Sequence, residues 1–259
     1  SVAMCAPFRQ ELYSGRTPWR TGTLPNHSTS KPNTRSIAHY LQELGYRVAL
    51  AGKTHFGPNS AYPFELLGDV SRTNDGNPEM MAKMRTFVSS VGDAPFCLFL
   101  ASHDAHGPYT TGDASQYPPD KLKVPPYWYD TPELRRMLSK YLAEVTNFDA
   151  LVGLVVAELK ERGLFDDTVL MVCSEQGNAF PYAKWTCFDN GLHCGLVARY
   201  PAIIQPGSKC DELVAVMDVA PTLVELAGGS LSDGDCDGES IVRLLRGEET
   251  PVHEYVYGA

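Results

Sequence analysis

No apolar run in the chain is long enough to cross a membrane as a helix, so a helical membrane span is excluded. Basic blocks are also missing. Lys and Arg number 22 against 31 Asp and Glu, a net charge of −9, which argues against a nucleic-acid partner. No C-x-x-C pair occurs, which removes the usual zinc ribbon. Seven cysteines stand at positions 5, 97, 173, 187, 194, 210 and 236. That odd, irregular set does not make a small disulfide scaffold. Cys97 and Cys173 lie in apolar runs and read as buried free thiols. A disulfide among Cys187, Cys194, Cys210 and Cys236 stays open. Internal repeats and low-complexity segments are absent. The chain does not begin with Met: Ser1 opens it, no leader pattern precedes Cys5, and it stops at Val256-Tyr257-Gly258-Ala259, just after an expected strand. Both ends read as cuts, so the missing leader says nothing of export.

What is present is ordinary globular material: 259 residues, 43% hydrophobic and 20% charged, enough for a large core. Strand and helix patterns alternate. A short amphipathic helix is expected over Ser36–Leu44 and a strand over Tyr46–Ala51. The stretch 57–78, rich in Pro, Gly and Asn, reads as loop, and Met80–Ser90 as helix. Phe96–Ala101 is a continuous apolar run, expected as a strand buried on both faces. Residues 107–131 should cross the surface. From Pro132, apolar residues repeat at helical spacing to a stop at Gly163. Thr168–Cys173 and Leu196–Arg199 read as strands. Asp218–Ala227 reads as a helix entered through Pro221, and 228–238 as a linker. This alternation predicts an α/β sandwich with a largely parallel central sheet and helices on both faces.

In such sheets reactive groups gather beyond the carboxyl ends of strands. Three clusters fit: Gly52-Lys53-Thr54-His55-Phe56-Gly57, Ser102-His103-Asp104-Ala105-His106-Gly107-Pro108 and Ser174-Glu175-Gln176-Gly177-Asn178. Their lysine, histidines and carboxylate suit one anionic ligand. The segment Cys5-Ala6-Pro7-Phe8-Arg9 is sharper. Pro7 suits a first helical position and Gly15 a stop, so Cys5 is expected just before a helix N-terminus. Backbone N–H groups favour an anion there, and Arg9 lies four residues on along the same face. Those surroundings lower a thiol's pKa.

C-x-P-x-R followed by Leu12-Tyr13-Ser14-Gly15-Arg16 resembles the signature of the type I sulfatases, in the alkaline phosphatase superfamily. The three strand-end clusters, Lys184 ahead of Ala198-Arg199-Tyr200-Pro201, and Asp218-Val219-Ala220-Pro221-Thr222-Leu223 follow in that family's order. The Ser-Glu-Gln-Gly form is similar to bacterial heparan N-sulfatase-like members. The resemblance implies an alkaline-phosphatase-like sandwich, a catalytic domain over 1–227 lacking its first strand, and an incomplete C-terminal portion over 228–259. It implies that a maturation enzyme oxidises Cys5 to formylglycine, whose hydrate attacks sulfur. Arg9 and Lys53 would hold that diol and His55 would act as its base. His106 and Lys184 would bind sulfate and protonate the leaving group. His103 is divided between substrate contact and structural bonding. Calcium or another divalent cation would sit on Glu175, Gln176 and modified Cys5. The implied substrate is a sulfated sugar or glycosaminoglycan, and the implied compartment is periplasmic or secreted.

The family pattern is broken at three points. It carries an aspartate pair upstream of the cysteine, whereas only four residues precede Cys5 here, so cation binding is expected to be weak. Glu175-Gln176 replaces Asp-Asn or Asp-His, and Phe8 stands where a small residue is common. Two other readings stay open: a phosphonate or phosphate ester hydrolase, and an inactive glycan-binding fragment. Tyr109, Tyr117, Tyr127, Trp128 and Tyr129 are read equally as sugar-stacking rings and as loop packing.

Overall fold

The computed structural model describes residues 2–258. Ser1 and Ala259, which end the two expected regions 1–227 and 228–259, lie outside the described residues. Eight helices are described: α1 Cys5–Ser14, α2 Pro18–Thr21, α3 Ile37–Glu43, α4 Gly76–Ser90, α5 Pro132–Glu161, α6 Asp189–Leu192, α7 Val219–Leu226 and α8 Val242–Leu245. The strands are β1 Arg47–Gly52, β2 Glu65–Leu66, β3 Phe96–Ala101, β4 Leu170–Cys173 and β5 Leu196–Arg199.

β1 is the centre of a parallel sheet ordered β2-β1-β3. Its residues alternate between two cores, as strand geometry requires. Val48 and Leu50 meet Tyr13, Ile37, Leu41 and Val224 on the face of α1, α3 and α7. Ala49 and Ala51 meet Met80, Met84, Phe87 and Leu151 on the face of α4 and α5. Burying each of the larger side chains contributes about 1.5–3 kcal/mol. The ends of β1 and β3 are drawn together at Gly52. A Cβ there would lie 2.2 Å from the Ala101 carbonyl oxygen, and the Lys53 N–H donates to that oxygen at 2.9 Å. Only glycine permits this approach, and it brings the two reactive loops side by side.

β4 pairs with β5 antiparallel, from Leu170↔Arg199 to Cys173↔Leu196, as a separate two-stranded sheet. The largely parallel sheet expected is seen in β1–β3, and β5 is the antiparallel strand. β3 and β4 both line a cavity of about 1760 Å³. Because they face it, they are half-buried and not covered on both sides as their apolar runs predicted. Cys97 and Cys173 are half-buried for the same reason, and all seven cysteines are free.

Several boundaries also move. α1 begins at Cys5 itself, with Met4 as the extended N-cap residue, so the cysteine sits inside the first turn and Pro7 is third. Pro is tolerated there because first-turn N–H groups lack intrahelical partners. Gly15 stops the helix as expected, at φ 64°. Pro221 is likewise third in α7, and α4 starts within the expected 57–78 loop. Residues 251–258 form no strand. The expected linker 228–238 lies against the end of α1: Asp237 and Gly238 donate their N–H groups to Gly15, and the Asp237 carboxylate takes Arg20 at 2.5 Å.

Candidate active site

Cys5 is 1% exposed and lies in the first turn of α1, where free N–H groups and the helix dipole favour negative charge. Lys184 Nζ stands 3.2 Å from its Sγ and Gln176 Nε2 3.4 Å. Burial pushes the Cys5 thiol up, but hydrogen bonds from His106 and His55 and the charge of Lys53 outweigh it and bring it down to about 4. An unmodified Cys5 is therefore a thiolate at neutral pH. Lys184 Nζ also lies 3.4 Å from His106 Nε2. The other nitrogen of that ring, Nδ1, is 2.8 Å from the Gly107 carbonyl, to which it donates, which turns Nε2 toward Lys184 and Cys5.

Below Cys5 lies a buried ion triad. Arg9 Nε meets Glu175 Oε1 at 2.9 Å and Lys53 Nζ meets Glu175 Oε2 at 3.1 Å. Burial raises the Glu175 pKa, and Arg9 with Lys53 overrides it, holding the carboxyl at about 2. Lys53 is lowered, by burial and then by the like charge of Arg9. Arg9 and Lys53, expected to hold a diol on Cys5, both pair with Glu175, since two buried cations need a counter-charge. Both oxygens of Glu175, expected as a cation ligand, take part in that pairing. Gln176 Oε1 is buried without a hydrogen-bond partner, a free oxygen of the kind a hard cation takes. Among the described residues no three His, Cys, Asp or Glu side chains converge as a cation site. These residues alone do not complete one.

The elements explain the convergence. Lys53 and His55 follow β1, His103 and His106 follow β3, and Glu175 and Gln176 follow β4. Lys184 comes from the loop after β4. That loop is fixed by the Lys184 N–H on the Asn178 carbonyl at 2.9 Å and the Trp185 N–H on Ala3 at 3.0 Å. His103 lines the same cavity, but its Nε2 is 2.7 Å from Asp69 Oδ1. Its partner is thus a carboxylate of the protein. Burial lowers its pKa against the raising effect of Asp69. Arg9, Lys53 and Lys184 gather at Cys5, and Glu175 pairs with the first two, a local positive centre suited to an anion.

His27 was not singled out by the sequence. Its Nδ1 lies 2.9 Å from His55 Nε2, and Asn26 beside it accepts the Ala6 N–H of α1 at 3.3 Å. No motif marks this pair. Its signal is backbone conformation: the non-glycine residues at positive φ among those described are His27, His55, Tyr182 and Trp185. Three of them, His27, His55 and Trp185, line the cavity. Such conformations cost ~1–3 kcal/mol each and cluster at functional sites.

Comparison with known proteins places the site in context. The sulfatase family profile matches residues 1–230. An ulvan-active sulfatase of Formosa agariphila is 31% identical over 99% of this chain and 51% of its own length. The N-sulphoglucosamine sulphohydrolase of Homo sapiens is 26% identical over 87% of this chain and 52% of its own. The chain thus spans about half the length of these curated relatives. A solved structure from work on glycosaminoglycan metabolism by Bacteroides thetaiotaomicron superposes with a TM-score of 0.81 at 21% identity, covering 98% of this chain and 66% of that one. This likeness shows the alkaline-phosphatase-like fold.

Proposed function

Since the chain belongs to the sulfatase family, we propose that the full-length protein hydrolyses sulfate esters or sulfamates of a sulfated sugar, at Cys5. The observation that carries this reading is the buried Cys5 Sγ with Lys184 Nζ at 3.2 Å, inside the first turn of a helix. On balance the groups around that atom favour negative charge, which is what a sulfate and its transition state bring.

The thiol itself cannot complete a hydrolytic cycle by ordinary ester chemistry, and we read Cys5 as the precursor of formylglycine, made by a separate maturation enzyme. Its pocket fits that group: Lys184 and Gln176 offer N–H donors to an oxygen at the Sγ position. When present, formylglycine supplies, as its hydrate, the oxygen nucleophile. Lys184 holds the sulfuryl oxygens. With its Nζ between Cys5 and His106, it is placed to neutralise charge as the leaving group departs, and the Lys184–His106 pair supplies the proton there. His55 lies beside Cys5 with its ring anchored by His27, in position to take a proton from the nucleophile. Arg9 and Lys53 act through Glu175, fixing the floor of the site. The family's divalent cation would find Gln176 Oε1 free, but it needs donors beyond those described, and no step here runs through it. The main domain is read as 1–227 with a later portion beginning at 228. Periplasmic or secreted placement rests on family analogy.

The test is sulfate release by the full-length protein, assayed in parallel with an aryl sulfate and an aryl phosphonate. Cys5→Ala should abolish sulfate release without loss of fold. Retained release, or faster phosphonate turnover by the wild type, would overturn the reading.

A further inference from the structure

Beside Lys184 an aromatic surface stands open to solvent. Trp185 is 70% exposed, costly for so large an apolar ring. Its backbone is left-handed at φ 68°, as is that of Tyr182 at φ 64°, in a loop fastened at Asn178 and Ala3. The chain is therefore held in an uncommon conformation and yet leaves the indole unburied. Lys184 Nζ lies 5.6 Å from the centre of the indole ring and 3.2 Å from Cys5 Sγ. One ammonium group thus joins the nucleophilic position to the ring, and the indole centre lies within the sum of those two distances of the sulfur.

We propose that Trp185 is the platform on which the sugar ring bearing the sulfate stacks, an inference that rests on the sulfatase reading. With the sulfuryl group against Lys184, the pyranose attached to it extends outward by about one ring width. It then meets the indole at the ~5 Å separation usual for stacked rings. The axial C–H groups of a pyranose make an apolar face that suits an indole, and its hydroxyls need polar neighbours. Tyr182, in the same loop, packs edge-on against the half-exposed Tyr127 at 6.0 Å, whose hydroxyl accepts from Asn190 Nδ2 at 3.0 Å. A quaternary ammonium leaving group also binds indole faces. Here it would meet Lys184 on the ring together with Lys53 and Arg9 behind it, and like charge disfavours it.

Trp185→Ala and Trp185→Phe in the full-length protein test this with three probes: a monosulfated hexosamine, methyl sulfate and choline sulfate. In Trp185→Ala the ratio of kcat/KM for the hexosamine to that for methyl sulfate should fall by about tenfold or more, chiefly through KM, and Trp185→Phe should restore most of it. An unchanged ratio overturns the proposal and leaves the hydrolase reading standing. So does a fall in the choline sulfate ratio without one for the hexosamine. Absence of turnover with all three probes in the wild type counts against the hydrolase reading. The platform is then judged by fluorescence. Quenching by the sulfated hexosamine that is lost in Trp185→Phe supports it, and quenching that is equal in both, or absent in both, refutes it.

Discussion

Replacing Glu175 with Gln removes the one carboxylate between Arg9 and Lys53, whose side chains are 10% and 9% exposed. The amide keeps the shape but leaves two cations uncompensated, a change of the kind that costs about 3–5 kcal/mol. The ionisation of Glu175 gives a second route to the magnitude. Its pKa falls from 4.5 to about 2 in the folded protein, worth roughly 3 kcal/mol of stability at neutral pH. Lys53 adds nothing to this, since burial and Arg9 lower its own pKa. The stabilisation resides on the carboxylate. The folded pKa lies below the unfolded one, so the stabilisation is fully present above about pH 4.5 and is lost as pH falls toward about 2. Urea unfolding of wild type and Glu175→Gln, with chelator present, reads this directly. The variant should be about 3 kcal/mol less stable at neutral pH, and the gap should close near pH 2. A neutral-pH gap under about 1 kcal/mol, the level of an exposed ion pair, would refute the reasoning. So would a gap that persists undiminished in acid.

Lys184→Ala should lower kcat/KM for a sulfate ester by about a hundredfold or more, as loss of an oriented charge donor does; a loss under about tenfold would return Lys184 to a packing role. His27→Ala should cut kcat about tenfold by freeing the His55 ring, while His27→Asn, whose side-chain oxygen can accept from His55 Nε2 in place of Nδ1, should recover most of it; equal loss in both would dismiss the anchoring. In protein lacking the maturation enzyme, a small alkylating reagent should modify Cys5 at a nearly constant rate from about pH 8 down to about pH 5, because its thiol stands at about 4. A rate that instead climbs roughly tenfold per pH unit, as for an ordinary thiol, would contradict that environment.

Much of the fold was legible because β1 and its helices carry strong periodic signals. Val48, Leu50, Ile37 and Leu41 announce their faces by spacing alone. β3 and β4 misled because an apolar run reports what a strand can bury, not what covers it, and both border the same cavity. The helix start at Cys5 was displaced because Pro7 satisfies any of the first-turn positions equally well. In the site, strand-end placement pointed to Lys53, His55, His106, Glu175 and Gln176, the helix-start pattern to Cys5 and Arg9, and the motif order to Lys184. The pairing among them was hidden. That Glu175 would pair with both Arg9 and Lys53 depends on burial of all three, a property of the assembled core. His27 and Trp185 were hidden for a different reason: their importance lies in left-handed backbone and in the Lys184 and His55 contacts, none of which leaves a pattern along the chain.

The most direct test is the mass of the Cys5 peptide in a full-length preparation that releases sulfate from a sulfated hexosamine. The account predicts that Cys5 in the active preparation carries the aldehyde and that activity scales with its fraction across preparations. Undiminished sulfate release from protein whose Cys5 is wholly an unmodified thiol would contradict it.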